Sequence, residues 1–224
     1  MVDIAANISI LLEQIPPSVK LVAVSKTRPV SDILIAYNTG QRCFGENRVQ
    51  EILDKKGKLP KDIEWHLIGH LQSNKVKSVV PFINMIQSVD SYKLLKSING
   101  EASKIDRVID CLLQIHIAEE ETKFGFSMNE LHDVFETQGY SELKSVNICG
   151  VMGMATFTSD TIQLKKEFGY LKECFNVLKD SYFKGTPQFK DISMGMSGDY
   201  KIAIEKGSTI IRIGSLIFGE RNKN

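Results

Sequence analysis

Short apolar runs alternate with segments of helical period from residue 21 to residue 218, eight times over, and this alternation restricts the fold more than any other feature of the chain. The runs are 21–24, 42–44, 64–68, 83–88, 108–117, 146–152, 191–194 and 209–213. The first, Leu21-Val-Ala-Val24, has no polar alternation, the pattern of a strand buried on both faces. Between the runs, apolar residues recur three and four apart, as in Leu95, Ile98, Ala102 and Ile105, or in Phe168, Leu171, Phe175 and Leu178. Further helices are expected over 46–55, 73–80, 127–138, 200–205 and 215–218, with another beginning at Pro29. Strands separated by helices pair in parallel, and eight such units favour closure into a (β/α)8 barrel over an open sheet. An extra N-terminal helix, built on Ile4, Ile8, Leu11, Leu12 and Ile15, ends at Pro16-Pro17. The fold expected is therefore α/β, a TIM-type barrel. No Pro/Ser-rich linker or low-complexity tract interrupts the 224 residues, so 1–224 reads as a single domain.

A formal charge of +1 gives no electrostatic case for nucleic acid or for an anionic membrane surface. No apolar run approaches the length of a membrane span. The first residues carry Asp3 and no cationic start, unlike a signal peptide. Cys43, Cys111, Cys149 and Cys174 are scattered without a CxxC pair, so buried, reduced thiols and a cytoplasmic location are expected. No apolar stripe demands a partner, and a monomer is expected.

In barrels of this kind the chemistry sits at the C-terminal ends of the strands, and phosphate often binds after strands seven and eight. Lys26 follows the first strand, where partial burial disfavours its charged form. A neutral amine there suits Schiff-base formation; the alternative is an edge lysine reaching into solvent. After strand seven, Gly195 and Gly198 flank Ser197, and after strand eight Gly214-Ser215 opens a helical turn. Two such turns can present backbone N–H groups and a hydroxyl to an anion, or they can simply permit tight bends. Arg212, in the otherwise apolar run Thr209-Ile-Ile-Arg-Ile-Gly214, needs either a barrel-lining glutamate or a bound ligand. His66 and His70 are four apart but fall on a strand and its loop, so helical metal-ligand geometry does not apply and no metal is expected. His116 reads as a core-edge residue, His132 as a surface one, and Glu119-Glu120-Glu121 as a solvated loop.

Lysine, anion cradle and arginine together look like a pyridoxal-phosphate site. The chain resembles the pyridoxal-phosphate homeostasis proteins, single-domain relatives of the alanine racemase barrel. The resemblance runs over essentially the whole length. It is carried by Ala23-Val-Ser-Lys26-Thr, Phe44-Gly-Glu-Asn47-x-Val-Gln-Glu51, Trp65-His66-x-Ile-Gly69-x-Leu-Gln72, Ser193-Met-Gly-Met-Ser197 and Ile211-Arg-Ile-Gly214-x-x-Ile-Phe-Gly219. It implies that Lys26 holds pyridoxal 5′-phosphate as a Schiff base, that Ser197 with the N–H groups of Gly214 and Ser215 binds the phosphate, and that Arg212 faces the pyridine nitrogen. Asn47 and His66 are implied to line the pocket, with Met152 and Met154 near the ring face. Arg48 stands where many relatives have tyrosine, and Ser215 where alanine or threonine is common.

A guanidinium at the ring nitrogen opposes its protonation and weakens the ring as an electron sink. The resemblance therefore implies a carrier in vitamin B6 homeostasis that exchanges cofactor with apo-enzymes and has no catalytic residue of its own. A weak amino-acid racemase or lyase using Lys26 as base is the alternative; a second base from another domain is not expected, since the sequence stops five residues after Gly219. A Schiff-base aldolase is a third reading, but it expects the lysine on a later strand beside a carboxylate.

Overall fold

In the computed structural model, which describes residues 2–119 and 124–220, eight parallel strands close a barrel in chain order. They are β1 (Lys20–Val24), β2 (Cys43–Glu46), β3 (Glu64–Leu67), β4 (Met85–Val89), β5 (Ile109–Gln114), β6 (Val146–Met152), β7 (Asp191–Ser193) and β8 (Ile210–Ile213). Closure is made by β1 on β8, with Val22 opposite Arg212 and Ala23 opposite Ile213. Side chains alternate across each strand. Leu21, Ala23, Phe44, Trp65, Ile86, Leu113, Val151, Ile192 and Ile211 pack into one continuous core beneath the helices. Val22, Cys43, Met85, Leu112, Cys149, Met152 and Ile210 form a separate, smaller cluster that fills the barrel itself. Both faces are thus buried, which is why these strands read as unbroken apolar runs.

The connecting helices are α2 (Val30–Asn38), α3 (Val49–Lys56), α4 (Val76–Val79), α5 (Tyr92–Ser103), α6 (Met128–Glu136), α7 (Thr161–Ser181), α8 (Tyr200–Glu205) and α9 (Ser215–Phe218). Their starts follow ordinary capping chemistry. Ser127 and Glu130 make a reciprocal capping box on α6, and the Asp160 carboxylate accepts from Ile162 and Gln163 at the start of α7. The N-terminal helix α1 (Ile4–Gln14) buries Ile4, Ile8 and Leu11, with Ile15 just past its end. Each such side chain contributes about 1.5–3 kcal/mol. Asn7 donates to the Ile217 carbonyl, and the Tyr200 hydroxyl donates to Gln14, so α1 braces the two short helices that follow β7 and β8.

Several boundaries differ from the sequence expectation. Leu12 and Ile105 are exposed. Leu12 lies at the edge of the apolar stripe of α1, and Ile105 follows the last turn of α5. Pairing of Glu46 with Leu67 extends β2 to Glu46, so α3 starts at Val49 and not at 46. Residues 73–80 contain a 3-10 turn (Ser73–Lys75) before the short α4. β5 ends at Gln114, and Ile115 makes only an isolated bridge to Phe126. Gly150 sits where the β5–β6 register shifts. Its φ is +152°, and a Cβ there would lie 1.8 Å from the Asp191 carbonyl oxygen, so only glycine lets β6 and β7 approach.

Candidate functional site

The turn after β1 carries Lys26, and the residues on either side of it are held from behind. The Ser25 hydroxyl donates to Glu46 at 2.7 Å, and the Thr27 N–H donates to Glu51 at 2.7 Å. Thr27 adopts φ +64°, a left-handed conformation that a β-branched residue takes only when its surroundings impose it. Lys55, one helix turn beyond Glu51, joins the two carboxylates: its ammonium lies 2.8 Å from Glu46 and 3.2 Å from Glu51, and donates to the Ser25 carbonyl as well. Burial pushes the Glu46 carboxyl pKa up, against the lowering effect of Lys55 and Ser25. Glu46 Oε2 has no hydrogen-bond partner among the described residues. Arg28 reaches the carbonyls of Gly219 and Glu220, which ties the same turn to the end of α9. Lys26 itself is half-buried.

Across the β1/β8 seam lies the turn after β8. A Cβ on Gly214 would lie 3.4 Å from the Val24 side chain and carbonyl oxygen, so this turn borders the one that carries Lys26. The Ser197 hydroxyl oxygen accepts from the N–H groups of Gly214 (3.3 Å) and Leu216 (3.5 Å). Gly195 allows this with φ +95°, where a Cβ would lie 2.6 Å from that of Ala203. The Met196 N–H donates to Asp199 at 2.5 Å, closing the loop. The turns after β7 and β8 therefore meet at Ser197, which binds the N–H groups of Gly214 and Leu216 and not that of Ser215 between them.

Beneath them, inside the barrel, runs a buried polar chain. Arg212 Nη1 donates to Ser193 Oγ at 2.5 Å and Nη2 to the Gly153 carbonyl at 3.0 Å. Ser193 Oγ donates to Gln87 Oε1 at 2.7 Å, and Gln87 Nε2 lies 2.8 Å from His66 Nδ1. Arg212 has no ion pair with a barrel-lining glutamate among the described residues; Asp199 supports it only through its charge. Burial lowers its pKa to about 10, and at neutral pH the guanidinium stays charged. His66 is held down at about 3, chiefly by burial and then by the charge of Lys20. The Gly153 loop is fixed in turn by Glu167, which accepts from the Thr156 N–H and hydroxyl at 2.7 Å. Met152 is fully buried in the barrel cluster, with Met154 packed against it.

Not every expected residue falls at this seam. Asn47 lines an outer groove with Arg48, Gln50, His70, Gln72 and Lys75, and its backbone abuts Gly69, where a Cβ would lie 2.4 Å from the Asn47 carbonyl oxygen. The spacing argument against ligands near His66 missed a spatial neighbour: Cys43 Sγ, a Glu64 oxygen and a His66 ring nitrogen lie within 4.8 Å of one another. Lys20 already pairs with Glu64 at 3.2 Å, and burial raises the Cys43 thiol to about 12, so the trio holds a cation of its own and a protonated thiol. All four cysteines are free and buried. His132 is half-buried and bonded to the Tyr182 hydroxyl at 2.5 Å. Glu119 is exposed, while Glu120 and Glu121 lie outside the described residues. No helix among the described residues is long and apolar enough to cross a membrane.

A closed parallel barrel with a lysine after its first strand and an oxygen-accepting seam after its last two has the architecture of the alanine racemase N-terminal domain, whose family model matches residues 2–222. Within that architecture, the chain belongs to the pyridoxal phosphate homeostasis protein family. It is 40% identical over 204 residues to the family's protein from Aquifex aeolicus (90% of this chain, 87% of that protein). It is 37% identical over 213 residues to the one from Synechocystis sp. (94% and 95%). Among solved structures it is similar to PipY of Synechococcus elongatus PCC7942 with PLP bound, at TM-score 0.87 and 36% identity, covering 97% of this chain and all of that one.

Proposed function

We propose that this chain binds pyridoxal 5′-phosphate at the β1/β8 seam, with Lys26 as the amine that captures its aldehyde, and serves vitamin B6 homeostasis by holding the cofactor and passing it to apo-enzymes. The observation that carries this reading is the contact of the Lys26 turn with the Gly214 turn, where Ser197 Oγ accepts from two backbone N–H groups. The residues present suit the group. Backbone donors and a hydroxyl at Ser197, Gly214 and Ser215 suit a phosphate. Arg212 spends one N–H on Ser193 and one on Gly153 and keeps further donors, which suit an unprotonated pyridine nitrogen.

When bound, the cofactor supplies an aldehyde that an amine captures and a ring that draws electrons. Arg212, a donor without an acceptor, leaves the ring nitrogen unprotonated and weakens that electron sink. This favours retention over turnover, so no residue is assigned a catalytic role. Met154, packed over the fully buried Met152, supplies the apolar side of the site, His66 acts from below through Gln87, and Asn47 and Arg48 stand at the rim. Residues 1–224 act as one unit, a cytoplasmic monomer that neither nucleic acid nor membrane is needed to complete.

The test is the absorbance spectrum of the purified protein before and after borohydride. A yellow protein whose chromophore is fixed on residue 26, and a colourless Lys26→Ala variant, are expected. A native protein that takes up no cofactor at micromolar supply would overturn the reading. Hydrogen exchange at the α-carbon of added amino acids above the free-cofactor rate would favour the racemase or lyase alternative.

A further inference from the structure

The chain from Arg212 to His66 has a direction, set by which end of the Gln87 carboxamide faces each neighbour. A guanidinium only donates, so Ser193 Oγ must accept from Arg212. That hydroxyl then gives its own proton to Gln87, and the short contact is to the amide oxygen. The amide nitrogen consequently faces His66 Nδ1, and an amide nitrogen can only donate. Nδ1 must therefore hold a lone pair, and the single ring proton of His66 sits on Nε2. All four side chains are buried, and an unmade bond at any link leaves a polar group without water to replace it.

We propose that Ser193 and Gln87 are positioning residues of the cofactor site, which hold the Arg212 guanidinium beneath the ligand and, through the one-way hydrogen-bond chain it starts, fix His66 as the neutral Nε2–H tautomer. Neither residue touches the seam where Ser197 and Gly214 meet; both act through Arg212. The second carboxamide contact makes Gln87 the joint of the device. Its oxygen faces Ser193 and its nitrogen faces His66; the reverse placement, with Ser193 Oγ accepting from both Arg212 and Gln87, would put the ring proton on Nδ1. Ser193 at the C-terminal end of β7 and Gln87 inside β4 place both parts on strands, so the guanidinium is aimed by the barrel wall and not by a loop. The positioning role toward the ligand rests on the cofactor reading above, whereas the tautomer does not.

The experiment uses the full chain with 15N-labelled histidine, first without cofactor. His66 is expected to give the resonance pair of a neutral Nε2–H imidazole, unchanged between roughly pH 5 and 8. Gln87→Glu replaces the donor with a second acceptor, and His66 is then expected to carry a proton on Nδ1. An Nδ1–H or charged ring in the native chain, or an Nδ1 left without a proton by Gln87→Glu, would overturn the assignment. Added pyridoxal phosphate tests the positioning role: Ser193→Ala should bind it about tenfold or more weakly with a shifted absorption band, and Ser193→Thr should restore both. Unchanged affinity and band in Ser193→Ala would refute that role. A native protein that binds no cofactor, with the tautomer as expected, would instead refute the site reading and leave the chain direction standing.

Discussion

The Lys55 ammonium lies 2.8 Å from Oε1 of Glu46, and both groups are withdrawn from solvent at the back of the turn that carries Lys26. Glu46 is fully buried and Lys55 nearly so. A pair this deep gains little over an apolar pair of the same shape, yet removing one partner strands a charge. Lys55→Met is accordingly expected to destabilise the fold by roughly 3–5 kcal/mol in urea unfolding. Glu46→Gln combined with Lys55→Met should recover most of that loss. A double variant as unstable as the single one would show that the pair matters through shape and not through charge.

Phosphate recognition predicts a different pattern from Ser197→Ala. Ser197 is half-buried and joins the turns after β7 and β8 through the N–H groups of Gly214 and Leu216. Loss of the hydroxyl should weaken pyridoxal phosphate binding about tenfold and change the thermal midpoint little. Pyridoxal without its phosphate should bind both proteins equally. Equal loss for the two ligands would move the phosphate elsewhere.

Glycine substitutions separate close approach from simple turning. Gly150→Ala places a methyl 1.8 Å from the Asp191 carbonyl oxygen at φ +152°, and its cost should exceed about 4 kcal/mol or leave no soluble protein. Gly100 lies inside α5 with nothing within 4 Å of its missing Cβ, so Gly100→Ala should stabilise by up to about 1 kcal/mol. Unfolding midpoints of the two variants check both signs at once.

The barrel was legible because its period is carried by many residues, and an error at one boundary leaves the alternation intact. The turns that carry Lys26, Ser197 and Gly214 stood out differently, as polar or glycine residues that follow apolar runs, and Arg212 as a charge inside one. Gln87 did not stand out. In a strand buried on both faces, hydrophobicity does not say which alternate residue faces the barrel, and Ser88 beside it is as buried as Gln87. The structure sends Gln87 inward to Ser193 and His66, and Ser88 to the Gly69 carbonyl. Cys43 and Glu64 beside His66 were hidden likewise, because their meeting depends on the β2–β3 register. Lys55 is one more charge on a helix in the sequence; one helix turn brings it to Glu51, and the pairing of β1 with β2 sets Ser25 and Glu46 side by side next to it.

His66 supplies the pH dependence with the clearest sign. Burial and the charge of Lys20 hold its folded pKa at about 3, against about 6.5 in the unfolded chain. Between these values the unfolded state binds the extra proton, so stability rises with pH across the window. The contribution is whole above about 6.5 and is lost as pH falls toward about 3, on the order of 5 kcal/mol if the full shift is expressed. His66→Gln keeps an acceptor for the Gln87 amide and cannot be protonated. The free energy of unfolding of the native chain should therefore fall more steeply than that of His66→Gln on acidification, and the two slopes should coincide above neutrality. Parallel slopes throughout would mean that the imidazole is protonated in the folded barrel, and the Gln87 amide would then have to face it with its oxygen.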